Sequence, residues 1–149
     1  MEESRTRTLM VCSANIVRSP IAEAMWRSAA VLEQRVLPVW SAGLDAQPDY
    51  GADPMCVEIA DEKGLDLTEH RSRRFRMEYG AQSDLILVME PQMAHRIQRA
   101  APQLAGRVHL LGRWTVGTID DPRGGPRPAY ERTIGLIGDA VREWLKRIP

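Results

Sequence analysis

The chain has 149 residues, of which 44% are hydrophobic and 27% are charged, a composition typical of a globular protein with one buried core. Its 20 Lys and Arg residues balance its 20 Asp and Glu residues, which argues against general binding to nucleic acid or to a membrane surface. No apolar run reaches the roughly 18 residues of a membrane span, and residues 1–8 lack an apolar signal core, so we expect a cytoplasmic protein.

Short apolar runs alternate with helical patterns along the chain. The predicted strands are residues 8–11, 36–40, 84–89 and 108–111. The predicted helices are residues 20–34, 53–63, 92–101 and 130–148. Strands that alternate with helices form parallel sheets covered on both faces. We therefore predict an α/β fold, with residues 1–149 forming a single-domain, doubly wound, four-stranded parallel sheet and helices on both faces.

The first strand leads into a segment that joins a cysteine to an arginine. Cys12 follows the strand, Arg18 precedes the first helix, and Ser19 and Pro20 are predicted to be its N-cap and first helical residue. Ligands of open α/β sheets bind where a strand ends and a helix begins. The backbone N–H groups of such a loop, together with the helix dipole, attract anions, which indicates a phosphate-binding loop.

The polar side chains of this loop suit nucleophilic chemistry on a phosphate. Arg18 is expected to bind two phosphate oxygens. The positive field and a hydrogen bond from Ser19 favour the thiolate form of Cys12, which would form a covalent thiophosphate. Asn15 tolerates the left-handed backbone that a loop needs to wrap around an anion. The alternative is a buried strand-end cysteine and an unrelated surface arginine.

Transfer of phosphate to a thiolate requires a proton for the leaving oxygen, and a loop near the C-terminus carries candidate acids. Residues 115–129 are rich in Gly and Pro, and they include Asp120, Asp121 and Pro122. A long irregular loop with paired acids is typical of a functional lid. The alternative is an Asp-Pro turn that only precedes the last helix.

Together these segments resemble the low-molecular-weight protein tyrosine phosphatases. Residues 12–20 are similar to that family's signature, and the match continues through residues 21–24. Further matching segments follow in the family's order at residues 41–43, 64–67, 70–73, 84–89 and 121–122. Residues 89–102 and 106–114 most resemble the bacterial branch that is paired with tyrosine autokinases of polysaccharide export.

The resemblance implies a role for each matching residue. Cys12 would be the nucleophile, Arg18 the phosphate-binding residue, and Asp121 the general acid and then the base that activates water. The phosphate-binding loop would comprise Ser13, Ala14, Asn15, Ile16, Val17 and Ser19. The side chains of Asn15, Ser19, Ser41 and His70 would form the hydrogen-bond network that supports the loop. Leu44 and Arg123 would lie at the pocket rim. The implied substrate is a tyrosine-phosphorylated protein, with a bacterial tyrosine autokinase as a candidate partner.

Three positions depart from the family's pattern. Ala14 replaces a usual glycine, and Val17 stands where a second cysteine is common. Without that cysteine, oxidised Cys12 has no neighbour in the loop with which to form a disulfide, so we expect it to oxidise irreversibly more readily. Arg123, followed by two glycines, replaces the tyrosines that line the family's pocket rim. The rim therefore loses aromatic stacking and gains a cation, which leaves the substrate preference open.

Three other functions are compatible with this type of fold or loop. An arsenate reductase needs resolving cysteines in a mobile segment, whereas Cys56, the only other cysteine, falls in a predicted helix as a core residue. For a phosphoarginine phosphatase, the resemblance implies Thr at position 16. This chain has Ile16, which favours phosphotyrosine. The third is a non-catalytic phosphate-binding module, although Cys12, Arg18 and Asp121 are all present.

Two further features bear on ligands and partners. The three His and two Cys residues are too scattered for metal-ligand spacing, so we expect no metal and no cofactor. The basic run at residues 71–76 is either a site for an acidic partner or, as we favour, a solvated face with its own ion pairs.

Overall fold

The computed structural model describes residues 5–149, whose strands pair in one parallel sheet of order β2-β1-β3-β4. The strands are β1 (Thr8–Cys12), β2 (Val39–Gly43), β3 (Leu85–Val88) and β4 (Val108–Leu110). The helices are α1 (Arg18–Leu32), α2 (Pro54–Glu62), α3 (Met77–Ala81), α4 (Pro91–Ala100) and α5 (Arg127–Leu145), with a 3₁₀ helix at Pro102–Arg107. The predicted α/β fold with a four-stranded parallel sheet is confirmed.

The order of the strands reverses beside β1. This strand pairs with β2 on one side and with β3 on the other. The chain passes from β1 to β2 through α1, and in the opposite direction from β3 to β4 through α4. Because right-handed crossovers that run in opposite directions place their helices on opposite faces, α1 and α4 cover the two faces of the sheet. The loop after β1 therefore lies at the switch point, where such sheets bind ligands.

The core holds both ends of this loop. All five residues of β1 are buried. On α1, Ile21 and Trp26 are fully buried, and α5 packs against the same helix. Burial of a side chain such as Ile21 stabilises the fold by about 1.5–3 kcal/mol. The strand before the loop and the helix after it are thus fixed by packing. Among residues 5–149, no helix is long and apolar enough to cross a membrane.

The second strand lies further along the chain than predicted, at Val39–Gly43 and not at residues 36–40. The sequence pattern ends at Trp40 because Ser, Ala and Gly are weak strand formers. Parallel pairing with β1 overrides that preference, since Met10 pairs with Ser41 and Cys12 pairs with Gly43. Val36 is 43% exposed and lies outside the sheet.

The prediction for the start of α1 is wrong. The helix begins at Arg18, its N-cap is Val17, and no side chain caps it. Ser19 is therefore a helical residue, and its fully buried hydroxyl takes part in the site described below. The other predicted elements differ from the observed ones by one to three residues at their ends. The sequence pattern did not predict α3, which is only five residues long.

Candidate active site

The loop between β1 and α1 curls around a small pocket. Asn15 has a φ of 58°, the left-handed conformation expected from its residue type, and it turns the loop inward. The described residues that line the pocket are Cys12, Ala14, Ile16, Val17, Arg18, Asp121 and Arg123. Thus the fold brings the predicted nucleophile, phosphate-binding arginine and acid to one place, although Asp121 is more than 100 residues from Cys12 in the chain.

Cys12 ends β1 at the base of the pocket and is only 2% exposed. Its Sγ lies 2.9 Å from the Oγ of Ser19. The same Oγ accepts a hydrogen bond of 2.8 Å from Nδ2 of Asn15. A thiolate can only accept hydrogen bonds, so the Ser19 hydroxyl is placed to donate to an ionised Cys12. Hydrogen bonds to ionised groups are stronger than those between neutral groups.

Asn15 lies at the centre of the network beneath the loop and is fully buried. Besides Ser19, its Nδ2 donates to Ser41 Oγ at 3.0 Å. Its Oδ1 accepts from the backbone N–H of Arg73 at 2.9 Å. Every polar atom of this side chain is therefore paired, which offsets its burial and fixes the turn.

His70 and Glu23 complete the network. His70 Nε2 donates to the backbone carbonyl of Asn15 at 2.7 Å, which places the ring proton on Nε2 because a carbonyl can only accept. Its contact is thus to the loop backbone and not to a Ser or Asn side chain. Ser41 Oγ donates to Glu23 Oε1 at 2.6 Å. Glu23 could not be assigned this role from the sequence, because a carboxylate on a helix carries no signal that distinguishes it from a surface residue.

Arg18 is 2% exposed and is held from behind by two acceptors. Its Nη1 donates to the backbone carbonyl of Ile119 at 2.8 Å and to Glu90 Oε2 at 3.1 Å. The Nε and Nη2 edge donates no hydrogen bond to any of residues 5–149. That edge can bind two phosphate oxygens side by side. Sequence reasoning missed the role of Glu90, because its pairing with Arg18 joins positions far apart in the chain.

Asp121 lies at the open side of the pocket, with its side chain 40% exposed. Its Oδ2 is 3.7 Å from Nη2 of Arg18. Its Oδ1 accepts from the backbone N–H of Arg123 at 3.0 Å, which holds the turn after the Asp-Pro pair. Asp120 does not line the pocket, and its backbone carbonyl accepts from Thr133 Oγ1 at 3.4 Å. Of the two paired acids, only Asp121 is therefore positioned at the site.

The remaining predicted residues fall into two groups. Ala14, Ile16, Val17 and Arg123 line the pocket. Ser13 Oγ instead donates to Asp45 Oδ2 at 3.4 Å, and hydrogen bonds from Arg96 lower the pKa of the Asp45 carboxyl. Leu44 packs against the core and does not line the pocket, so its place at the rim is not supported.

Cys56 is fully buried, as predicted for a core residue. Its Sγ donates to the backbone carbonyl of Val17 at 3.6 Å. Burial above all, with smaller effects from Asp53 and Cys12, raises the pKa of the Cys56 thiol to about 12. It therefore remains protonated at neutral pH and is a poor attacking thiol. In the part of the chain that the structure describes, no three His, Cys, Asp or Glu side chains are grouped to hold a metal ion.

Comparisons with known proteins find similarity along nearly the whole chain. The family model described as low molecular weight phosphotyrosine protein phosphatase matches residues 7–149. The probable low molecular weight protein-tyrosine-phosphatase EpsP of Ralstonia solanacearum is 38% identical over 143 residues, which cover 94% of each chain. The crystal structure of the Erwinia amylovora tyrosine phosphatase AmsI has a TM-score of 0.89 at 32% identity, covering 97% of this chain and 94% of that one.

A further solved structure bears on both chemistry and substrate. It is the YwlE arginine phosphatase, in a mutant that carries a phosphorylated serine in its active site. Its TM-score is 0.90 at 30% identity, and the match covers 95% of each chain. Proteins similar to this chain thus include phosphatases described as acting on two different phosphorylated residues.

Proposed function

We propose that this chain, which belongs to the low molecular weight phosphotyrosine protein phosphatase family, hydrolyses phosphotyrosine in proteins through a phosphorylated Cys12. One observation carries the proposal: a buried thiol, a buried guanidinium and an exposed carboxylate line the same pocket at the switch point of the sheet. These three groups supply a nucleophile, an anion-binding group and a proton donor, which are sufficient for transfer of a phosphoryl group in two steps.

In the first step, the backbone N–H groups of the loop and the Nε and Nη2 edge of Arg18 hold the phosphate. The Cys12 thiolate attacks phosphorus, so that an S–P bond forms as the P–O bond to the tyrosine breaks. Protonated Asp121 gives its proton to the leaving phenolate oxygen. This role is supported by the position of Asp121, which lines the same pocket as Cys12 and has a side chain that is 40% exposed.

In the second step, Asp121 is a carboxylate and accepts a proton from water. The water oxygen attacks phosphorus, the S–P bond breaks, and inorganic phosphate leaves. The electrons of that bond return to Cys12 as a thiolate, which the Ser19 hydroxyl stabilises from 2.9 Å. Glu90 and Ile119 hold Arg18 in place throughout, so that no reorganisation of the guanidinium is needed.

The walls of the pocket favour phosphotyrosine over phosphoarginine. Ala14, Ile16 and Val17 offer apolar surface to a phenyl ring. The guanidinium of phosphoarginine would meet the same side chains, which cannot accept its hydrogen bonds, and unpaired donors are costly in a closed site. The likeness to YwlE nevertheless makes phosphoarginine the proper comparison substrate.

Arsenate reduction is the less favoured chemistry. It requires a second thiol that attacks an oxidised or substituted nucleophile. Cys56 is fully buried, and its pKa of about 12 keeps it protonated. The chain contains no further cysteine.

The natural substrate in this proposal is a tyrosine-phosphorylated protein, with a bacterial tyrosine autokinase as the candidate partner. Support for that partner comes from the resemblance of residues 89–102 and 106–114 to the branch paired with such kinases. Because the mechanism needs a reduced Cys12, we place the reaction in the cytoplasm, where thiols remain reduced.

The test compares hydrolysis of p-nitrophenyl phosphate across pH by the native protein and three variants under reducing conditions. Cys12→Ser is expected to abolish activity, and Asp121→Asn to lower kcat by about 10²- to 10⁴-fold. Asp120→Asn, which removes the neighbouring acid outside the pocket, should retain near-native activity. Activity that persists in Cys12→Ser would refute the assigned nucleophile. Hydrolysis of phosphoarginine peptides faster than phosphotyrosine peptides would refute the assigned substrate.

A further inference from the structure

A second, larger cleft opens beside the catalytic pocket. Its volume is about 490 Å³, which is sufficient for one or two amino-acid side chains. Ala14, Ile16 and Arg123 line both spaces, so the cleft and the pocket share one wall. The far wall includes Tyr50 and Pro54. A peptide whose phosphorylated side chain enters the pocket therefore has this cleft directly beside its neighbouring residues.

Tyr50 is an exposed aromatic residue on a loop whose backbone is fixed. Tyr50 is 62% exposed, whereas Ser72, which lies beneath the loop, is 2% exposed. The N–H of Tyr50 donates to Ser72 Oγ at 2.9 Å, and the N–H of Ser72 donates to the Tyr50 carbonyl at 2.7 Å. The Ser72 carbonyl accepts from the N–H of Asp49 at 2.8 Å, and its hydroxyl donates to the Gln47 carbonyl.

These four hydrogen bonds involve only the backbone of the loop and Ser72. None of them involves the Tyr50 ring, so the ring is not needed to hold the loop. An aromatic side chain has only two side-chain torsions, so on a fixed backbone it loses little conformational entropy on binding. Tyr50 therefore has the properties of a contact residue for a ligand rather than of a structural residue.

Three charged side chains line the cleft within the described residues, and Arg123 is the one among them without an internal partner. Both oxygens of Asp45 accept from Arg96 at 3.0 Å. Asp53 accepts from the Tyr130 hydroxyl at 2.9 Å and also caps α2. These two carboxylates are thus occupied by internal partners. The guanidinium of Arg123, in contrast, makes no hydrogen bond or ion pair with any of residues 5–149 and stands at the wall between cleft and pocket.

We propose that this cleft binds the substrate residues next to the phosphotyrosine, with Tyr50 packing against an apolar or aromatic side chain of that segment. The inference rests on the proposed function, because the phosphotyrosine must occupy the adjoining pocket. Neighbouring residues of an extended peptide are about 3.3 Å apart and alternate in direction, so a residue near the phosphotyrosine can reach the cleft. Tyr50 lines the cleft and not the pocket, so its contact would be with a flanking residue and not with the phosphotyrosine ring.

The experiment measures kcat/KM for a set of phosphotyrosine heptapeptides with alanine at all flanking positions, in which phenylalanine replaces each alanine in turn. For the native protein, phenylalanine at one flanking position is expected to raise kcat/KM by about 2- to 12-fold, the range for an aromatic pair. Tyr50→Ala should abolish that preference, and Tyr50→Phe should keep it. Leu32→Ala, which removes an apolar side chain that is 82% exposed at the far end of α1, is the matched control and should also keep it.

Hydrolysis of p-nitrophenyl phosphate separates this inference from the proposed function, because that substrate has no flanking residues. Tyr50→Ala should hydrolyse it at the native rate, which also shows that the variant is folded. Equal loss on p-nitrophenyl phosphate and on every peptide would overturn the inference, as would a native enzyme indifferent to the flanking residue. A native protein that hydrolyses neither substrate class would overturn the proposed function as well.

Discussion

Ser19 Oγ contacts Cys12 Sγ at 2.9 Å while it accepts the side-chain N–H of Asn15 at 2.8 Å. The Asn15 bond orients the hydroxyl, so that its proton is directed at the sulfur. The same contact would serve twice in the proposed mechanism, because the sulfur is a thiolate both when it attacks and when it leaves. Ser19 thus links the buried network to the reacting atom.

Ser19→Ala is expected to slow alkylation of Cys12 by iodoacetamide at about pH 6 and to lower kcat, each by about 10-fold or more. A hydrogen bond to an ionised group is worth about 1.5–3 kcal/mol, which corresponds to that range. Mass spectrometry of the alkylated Cys12 peptide measures the first rate, and the Cys56 thiol, whose pKa is raised to about 12, remains protonated at this pH. Ser28→Ala removes a hydroxyl from the same helix without a contact to the loop. Equal alkylation rates in the two variants would contradict the role of Ser19.

Asn15 combines a left-handed backbone with a fully buried, fully paired side chain. Asn15→Gly keeps the backbone conformation but removes the hydrogen bonds to Ser19 and Ser41 and leaves the Arg73 N–H without its acceptor, and we expect the free energy of unfolding to fall by about 2–4 kcal/mol. Asn15→Ala should lose about 1 kcal/mol more, because alanine resists positive φ. Urea unfolding of both variants measures the difference. Equal free energies of unfolding for the two variants would show that the positive φ at this position does not destabilise the alanine variant.

Gly43 lies against the back of the catalytic loop. An added Cβ would lie 2.5 Å from the Ser13 carbonyl oxygen and 2.8 Å from the Asn15 nitrogen, both of them backbone atoms. Gly43→Ala must therefore displace the loop, and a displacement of about 1 Å can cost about 10²-fold in kcat/KM. Steady-state kinetics with p-nitrophenyl phosphate, alongside a circular dichroism spectrum like that of the native protein, checks this.

The matched variant is Gly135→Ala, on the exposed side of α5, where an added Cβ meets nothing within 4 Å. Activity should be unchanged there, and stability should rise by about 0.5–1 kcal/mol because alanine favours the helix. Similar activity losses at both positions would point to a general effect of added methyl groups and not to contact with the loop.

The general arrangement could be predicted from the sequence because its signals are local. The apolar run before Cys12 and the helical pattern after Arg18 are both short-range features, and they place the loop between a strand and a helix. The boundaries were less predictable, because tertiary pairing decided them. Ser41, Ala42 and Gly43 belong to β2 since they pair with β1, although their own preferences are weak. Similarly, Ser19 is no N-cap because the helix already begins at Arg18, and its hydroxyl contacts the sulfur instead.

The parts of the site that the sequence did not reveal come from distant positions. Glu90 follows β3 and reaches Arg18, and Tyr50 lies in the loop after β2 beside the pocket. Only the strand order β2-β1-β3 brings these segments together, and no spacing in the sequence encodes it. The resemblance to the family already singled out Asp121, and the fold agrees because Asp121 lines the pocket whereas Asp120 does not.

His109, the middle residue of β4, is expected to make the stability of the protein depend on pH. Its ring packs against Trp144 with centroids 5.7 Å apart, and its Nδ1 lies 3.2 Å from Nη1 of Arg113. The guanidinium can only donate, so Nδ1 accepts and is unprotonated. Burial first, and the charge of Arg113 second, lower the pKa of His109 below its ordinary value of 6.5, against a smaller opposing effect of the Gly106 carbonyl.

Because the pKa of His109 is lower in the folded state, the unfolded chain binds the proton more readily between that value and about 6.5. The stability that neutral His109 provides is therefore present above about pH 6.5 and is lost as the pH falls through the lowered value. Thermal unfolding from about pH 8 to about pH 5 should show a larger fall in Tm for the native protein than for His109→Gln. His95→Gln, which removes an exposed imidazole from α4, is the control. Parallel Tm curves for the native protein and His109→Gln would show that His109 does not couple stability to pH.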